Sequence, residues 1–265
     1  MKKSDGERPT KKLRIALLHL SPIPGDLHHN RSLIKRAIEL AASGGAHWVV
    51  SPELGVCGYQ FARLIGTDWI AAQPDEWMTD FCRFVKDLRL TVFLSHPERE
   101  RQTGKLYNSV FLVDPEGEIF CVHRKINVLT GSESWSSPGE KISPVECRSL
   151  KIGVLVCADA ATKDIADTLK TKGAQILISP AAWGPGLYGP SGEWEQRTLD
   201  TGLPLIVCNR TGEEEGLSFL QAESVVVKNG RRVLSHHSER SVVLTFDVHG
   251  ETLEILSTEY HREYL

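Results

Sequence analysis

Glu53, Lys125 and Cys157 are a carboxylate, an amine and a thiol that share one placement, at or just beyond the C-terminal end of a run that reads as a β-strand. Open α/β sheets put their sites at such strand ends. In Trp48-Val49-Val50-Ser51-Pro52-Glu53 an apolar strand runs into an acid held after a proline, and Lys125 follows the strand-like run 119–123. In Gly153-Val154-Leu155-Val156-Cys157-Ala158-Asp159 a strand delivers a thiol into a turn ahead of a helix. A helix N-terminus lowers a thiol's pKa and raises its reactivity. Singly, each residue has an ordinary reading: the acid as a cap or surface charge, the lysine as a solvated side chain, the cysteine as a small core hydrophobe.

The elements that must position these residues alternate in type along the chain. Residues 13–20 read as a buried strand, 33–42 as an amphipathic helix, 47–50 as a second strand, 76–88 as a second helix and 91–95 as a third strand. This βαβαβ order predicts a sheet with helices packed on it. Residues 107–113 and 119–123 flank Asp114-Pro115-Glu116-Gly117, a hairpin signal, and 224–228 and 231–234 flank Asn229-Gly230, the favoured type I′ dipeptide. Between the hairpins the alternation resumes, with strands at 151–156, 175–179 and 204–208 and helices at 163–172 and 193–201. A mixed-sheet α/β protein follows. No linker or change of composition divides the chain, so residues 12–265 are expected to form one domain behind a loose tail at 1–11.

Hydrophobic residues make up 41% of the 265 and charged residues 25%, a globular balance. A formal net charge of -3 gives no overall electrostatic case for nucleic acid, and Arg99, Arg101 and Lys105 read as a solvated loop. The N-terminal stretch lacks the apolar run of a secretory signal, and the strand after it is too short to span a bilayer, so no membrane association and a cytoplasmic location are expected. The six cysteines form no Cys-x-x-Cys pair and no ligand spacing, which points to neither a disulfide framework nor a metal site.

The order of the blocks resembles the nitrilase superfamily of carbon–nitrogen hydrolases over residues 13–248. Pro52-Glu53-Leu54-Gly55-Val56-Cys57-Gly58-Tyr59 matches its first block, and Tyr107-Asn108-Ser109, the following hairpin and Arg124-Lys125 match its second. Gly153 to Asp159 matches the third, while Ser179-Pro180-Ala181-Ala182-Trp183 and Trp194-Glu195-Gln196-Arg197 resemble substrate-side segments. The resemblance implies a four-layer αββα sandwich, assembly into a homodimer or higher homo-oligomer, and no metal or organic cofactor. It also implies a Glu53–Lys125–Cys157 triad acting on a small-molecule amide. Glu53 would take the thiol proton, return it to the departing amine and activate water, while Lys125 and the backbone N–H of Ala158 would stabilise the oxyanion. Glu133 sits where the family carries a further glutamate, either orienting Lys125 or meeting the substrate amine. Tyr59, Ala182 and Trp183 would line the pocket. Asp159 is expected to cap the helix that follows it.

Many relatives read Cys-Tyr-Asp-x-Arg-Phe-Pro-Glu at the nucleophile, where this chain has Cys157-Ala158-Asp159-Ala160-Ala161-Thr162-Lys163-Asp164. The Cys-Trp-Glu block of true nitrilases is also absent. These departures favour a linear amide or carbamoyl compound, with a nitrile substrate or a degenerate non-catalytic member as the alternatives. A nucleotide binder is disfavoured: no Gly-x-Gly-x-x-Gly follows a strand and there is no P-loop, and Gly184, Gly186 and Gly189 lie in a Pro-containing loop suited to a pocket lid.

Overall fold

The computed structural model describes residues 12–147, 149–186 and 189–265; the tail expected at 1–11 lies outside them. The first half of the chain gives β1 (Lys12–His19), α1 (Leu27–Ser43), β2 (Trp48–Val50), a short α2 (Phe61–Ile65), α3 (Glu76–Leu88), β3 (Thr91–Arg99), β4 (Leu106–Val113) and β5 (Ile119–Arg124). The second half gives β6 (Val145–Cys147), β7 (Leu150–Val154), a 3₁₀ turn (Cys157–Ala160), α4 (Lys163–Thr171), β8 (Ile176–Pro180), α5 (Glu193–Thr201) and β9 (Leu205–Cys208). The small hairpin β10 (Glu213–Glu214) and β11 (Leu217–Ser218) follows, then β12 (Ser224–Lys228), β13 (Arg231–His236), β14 (Val242–His249) and β15 (His261–Tyr264).

Two sheets result, a seven-stranded one in the order β15-β14-β1-β2-β3-β4-β5 and a six-stranded one in the order β13-β12-β9-β8-β7-β6. Each has a parallel centre, β1-β2-β3 in one and β7-β8-β9 in the other, flanked by antiparallel strands. The parallel strands are apolar nearly throughout because both their faces are covered. Ile15, Leu17, Trp48 and Val50 of the first sheet share one buried cluster with Ile152, Val154, Ile178 and Ile206 of the second, so the sheets pack face to face. Leu33, Ile34 and Ala37 of α1 and Met78, Phe81 and Val85 of α3 cover the outer face of the first sheet, against Ala16, Leu18 and Val92. Ile165 and Leu169 of α4 and Trp194 of α5 cover the second. This is the four-layer αββα arrangement.

The β12–β13 hairpin turns at Asn229 and Gly230 with φ of 51° and 72°, the two positive values that a type I′ turn requires. Two expectations need correction. The strand expected at 151–156 stops at Val154, because the backbone turns into the 3₁₀ segment that begins at Cys157. Arg99 is not a solvated side chain: its guanidinium donates to the carbonyls of Ile70 at 2.6 Å and Thr67 at 3.4 Å. Sequence reading also passed over β14, which pairs with β1 along eight residues, and β15 at the sheet edge.

Candidate active site

The loops that leave the C-terminal ends of β2, β5, β7 and β8 build the site. After β2 the chain turns through Ser51 and Pro52; the Ser51 hydroxyl accepts from Ser95 N at 2.8 Å, and Leu54 N donates to the Ser95 hydroxyl at 2.9 Å. Glu53 N donates across to Ala181 O at 3.3 Å, joining the loop to the end of β8. The Glu53 side chain is fully buried. Its Oε1 accepts from Asn108 Nδ2 at 2.8 Å and Lys125 Nζ at 2.7 Å, and its Oε2 accepts from Ala182 N at 3.1 Å. Charge-assisted donors of this kind are what a buried carboxylate needs to offset its lost hydration.

Lys125 leaves β5 with its backbone fixed on both sides: its N–H donates to Asn108 O at 2.8 Å, and its carbonyl accepts from Gly139 N at 2.7 Å. Its ammonium, wholly buried, lies between two carboxylates, Glu53 at 2.7 Å and Glu133 at 2.5 Å. Burial alone would drive the lysine toward neutrality, but Glu53, the Cys157 thiol and Glu133 outweigh it, and the ammonium is held well above its usual pKa. Glu133 Oε1 accepts from the lysine, and its other oxygen accepts from Leu129 N at 2.9 Å. Burial and then Glu53 push the Glu133 carboxyl up to about 7, against the pull of Lys125.

Cys157 occupies the first position of the 3₁₀ turn with φ of 47°, a left-handed conformation that costs a non-glycine residue about 1–3 kcal/mol and marks functional sites. The helix-dipole expectation for its thiol fails. The next α-helix starts only at Lys163, and burial, with Glu53 second, pushes the thiol well above its ordinary value. Lys125 and the backbone N–H of Ala182 act in the opposite direction. The same three side chains, Glu53, Lys125 and Glu133, thus set the electrostatics of Cys157 and bring the sequence's candidates to one place.

Asp159 does not cap α4, whose N-cap is Thr162. Its Oδ1 accepts from Ile126 N at 3.0 Å and Asn127 N at 2.7 Å, and its Oδ2 accepts from Val156 N at 2.9 Å. Ala158 stands between Cys157 and Asp159, and its carbonyl accepts from Ala161 N at 3.0 Å and Asn127 Nδ2 at 3.2 Å.

The pocket candidates divide. Tyr59 reaches the site: its phenol meets Ser132 Oγ at 3.1 Å, and burial followed by Glu53 and Glu133 raises its pKa. Ala182 takes part through its backbone. The Trp183 ring packs edge-on against Trp194 at 5.6 Å, and its backbone is pinned by Asn209, which accepts from Trp183 N at 3.0 Å and donates to Trp183 O at 2.9 Å. Ser132 also lines a recess of about 450 Å³ with Gln60, Ala62, Arg63, Gly131 and Trp135.

Several residues escaped sequence reading. Asn108 stood in the second block, but its role, a donor to Glu53, was not assigned to it there. Glu214 accepts from Tyr59 N at 2.9 Å and Gln60 N at 2.7 Å, holding the wall that Tyr59 forms. Arg210, fully buried, pairs with Glu214 and stacks on Phe219 at 4.4 Å. Among the described residues no group of three or more His, Cys, Asp or Glu side chains is placed to hold a metal ion, and no helix is long and apolar enough to cross a membrane.

A nitrilase from Pyrococcus abyssi is 30% identical over 230 residues, covering 86% of each chain. An omega-amidase from Danio rerio is 28% identical over 252 residues, covering 88% of this chain and 86% of its own. An amidase from Nesterenkonia sp. AN1 superposes with a TM-score of 0.76 at 25% identity over 91% of this chain and 95% of its own; the solved form is a glutamate-to-glutamine mutant carrying an acrylamide adduct on the active-site cysteine. A nitrilase-superfamily member from Saccharomyces cerevisiae shares the fold, with a TM-score of 0.79 at 24% identity over 91% of this chain and 92% of its own. The family model for carbon-nitrogen hydrolases matches residues 14–254, and this chain belongs to that family.

Proposed function

We propose that the protein is a cysteine amidohydrolase that cleaves the C–N bond of a small linear amide or carbamoyl compound, with Glu53, Lys125 and Cys157 as its catalytic residues. The observation that carries this is the buried Glu53 carboxylate, held by Asn108, Lys125 and the Ala182 N–H beside the Cys157 thiol. A thiol raised by burial is protonated at neutral pH, so attack requires a base in contact with it. Glu53 takes the proton as the Cys157 sulfur bonds the amide carbon. The resulting oxyanion is stabilised by the Lys125 ammonium and the Ala158 N–H, each worth about 3–4 kcal/mol in comparable sites.

The C–N bond then breaks as Glu53 delivers its proton to nitrogen, and ammonia or an amine leaves. Water attacks the thioester, Glu53 accepts its proton, the acid departs, and the thiolate is reprotonated. Glu133 keeps Lys125 aimed at the reacting carbon. Tyr59 and the Ala182 backbone form the pocket wall, with Trp183 packed on Trp194 behind it. The family resemblance supports a homodimer or larger homo-oligomer, which light scattering of the purified protein tests.

The relative named nitrilase from Pyrococcus abyssi keeps a nitrile reading in play. Ala158-Asp159 after the nucleophile, in place of Trp-Glu, favours the amide. Ammonia release from matched amide and nitrile pairs tests the choice. The amide is expected to give the higher kcat/KM; a consistent preference for the nitrile reverses the assignment, and inactivity on both supports a degenerate member.

A further inference from the structure

Lys125 and Cys157 stand on different sheets, Lys125 just past β5 and Cys157 beyond β7, so their separation depends on what joins those two chain ends. The two residues after Lys125, Ile126 and Asn127, both donate their backbone N–H to Asp159 Oδ1, at 3.0 and 2.7 Å. Asp159 Oδ2 takes the N–H of Val156, the residue before Cys157, at 2.9 Å. In return, the Asn127 side chain donates to Ala158 O and Thr162 Oγ1, both at 3.2 Å, on either side of Asp159. Asp159 is fully buried, and with three N–H donors its carboxylate is satisfied. A residue that only closed its own turn would need the Val156 contact alone. Here one whole oxygen is given to the other segment.

We propose that Asp159 and Asn127 are positioning residues, a clasp that fixes the Lys125 ammonium relative to the Cys157 thiol. They act through the backbone on either side of the two catalytic groups and need not touch substrate. Slackening the clasp moves the ammonium away from the place where the oxyanion forms, and a misplacement of about 1 Å costs on the order of a hundredfold in rate. Substrate affinity, set by the Tyr59 wall, is left largely intact.

The inference rests on the amidase reading, and its test separates the two. Wild type, Asp159→Asn and Asn127→Ala are compared in amide turnover and in the pH dependence of Cys157 alkylation by iodoacetamide, read by peptide mapping. Glu53, Tyr59, Lys125 and Glu133 face the thiol, with Asp159 in its own turn and His123 Nε2 3.7 Å behind Asp159. Of these, Lys125 favours the thiolate, so a displaced lysine moves the alkylation midpoint to higher pH. Removing an anion at position 159 would by itself move the midpoint lower, and Asn127→Ala changes no charge, so an upward shift in both reports position.

Asp159→Asn is expected to lower kcat by about tenfold to a hundredfold with KM little changed, and to raise the alkylation midpoint; Asn127→Ala should do the same more weakly. A midpoint that stays or falls in both variants overturns the clasp, even with a lower kcat, since lost stability alone would give that. Should Asp159→Asn not fold, Asn127→Ala, at a half-buried position, decides by the same criterion. If the wild type hydrolyses no amide, the amidase reading fails while the alkylation result still decides for or against the clasp.

Discussion

The Lys125 ammonium donates to Glu133 at 2.5 Å and to Glu53 at 2.7 Å, so a single buried cation serves two buried acids. Burial, and then the Glu53 charge, hold the Glu133 proton up to about 7 against the pull of Lys125. Below that pH Glu133 is neutral; above it, its charge secures the lysine ammonium.

The kcat/KM profile for an amide is therefore expected to rise through about pH 7, and Glu133→Gln is expected to flatten that limb and lower the plateau by about tenfold to a hundredfold, the loss typical of a group that orients a catalytic one. Stability moves oppositely. The folded state binds the Glu133 proton more tightly than the unfolded chain, whose value is 4.5, so this residue's contribution falls as pH rises from 4.5 to about 7 and is level beyond. Urea titrations of wild type and Glu133→Gln across that window measure the difference.

Gly58 closes the loop that carries Glu53 to Tyr59. Its φ is +78°, and a Cβ there would lie 2.6 Å from Pro24 Cα and 3.2 Å from the Glu214 carboxylate. Gly58→Ala is expected to lose about 1–3 kcal/mol of stability and to raise KM by displacing Tyr59. Thermal unfolding and steady-state kinetics read the two effects separately.

Arg210 and Glu214 form a fully buried pair beneath the same loop. Arg210→Met leaves the carboxylate uncompensated and is expected to destabilise by about 3–5 kcal/mol, the cost of breaking a buried pair from one side. Adding Glu214→Gln should recover part of that loss in the double variant, as measured by chemical denaturation, while KM stays raised because Tyr59 and Gln60 lose a charged acceptor.

Much of this was legible in the sequence because it is local. Strand ends and turn dipeptides announced β2, β5, β7 and both long hairpins, and the motif blocks pointed to Glu53, Lys125, Cys157 and Glu133. The misses have physical causes. β14 is a mostly apolar run from Val242 to Phe246 with no turn dipeptide to mark its start, whereas β15, His-Arg-Glu-Tyr, is an edge strand with polar side chains and no period to detect. An acid just ahead of a helix, such as Asp159, looks like a cap in sequence whether its oxygens take that helix's N–H groups or reach the N–H groups of Ile126 and Asn127. Cys157 was expected to have a depressed pKa from a helix end; the 3₁₀ turn puts the helix too far away, and burial dominates.

A thioester between Cys157 and an amide substrate can be trapped. The protein is incubated with a panel of small linear amides, quenched in acid and analysed by intact-mass and peptide-mapping mass spectrometry. The peptide bearing Cys157 is expected to gain the mass of the acyl group, and both adduct and turnover are expected to be lost in Cys157→Ala. Turnover that persists in Cys157→Ala, or an acyl group carried by Cys57, Cys82, Cys121, Cys147 or Cys208 instead, would contradict it.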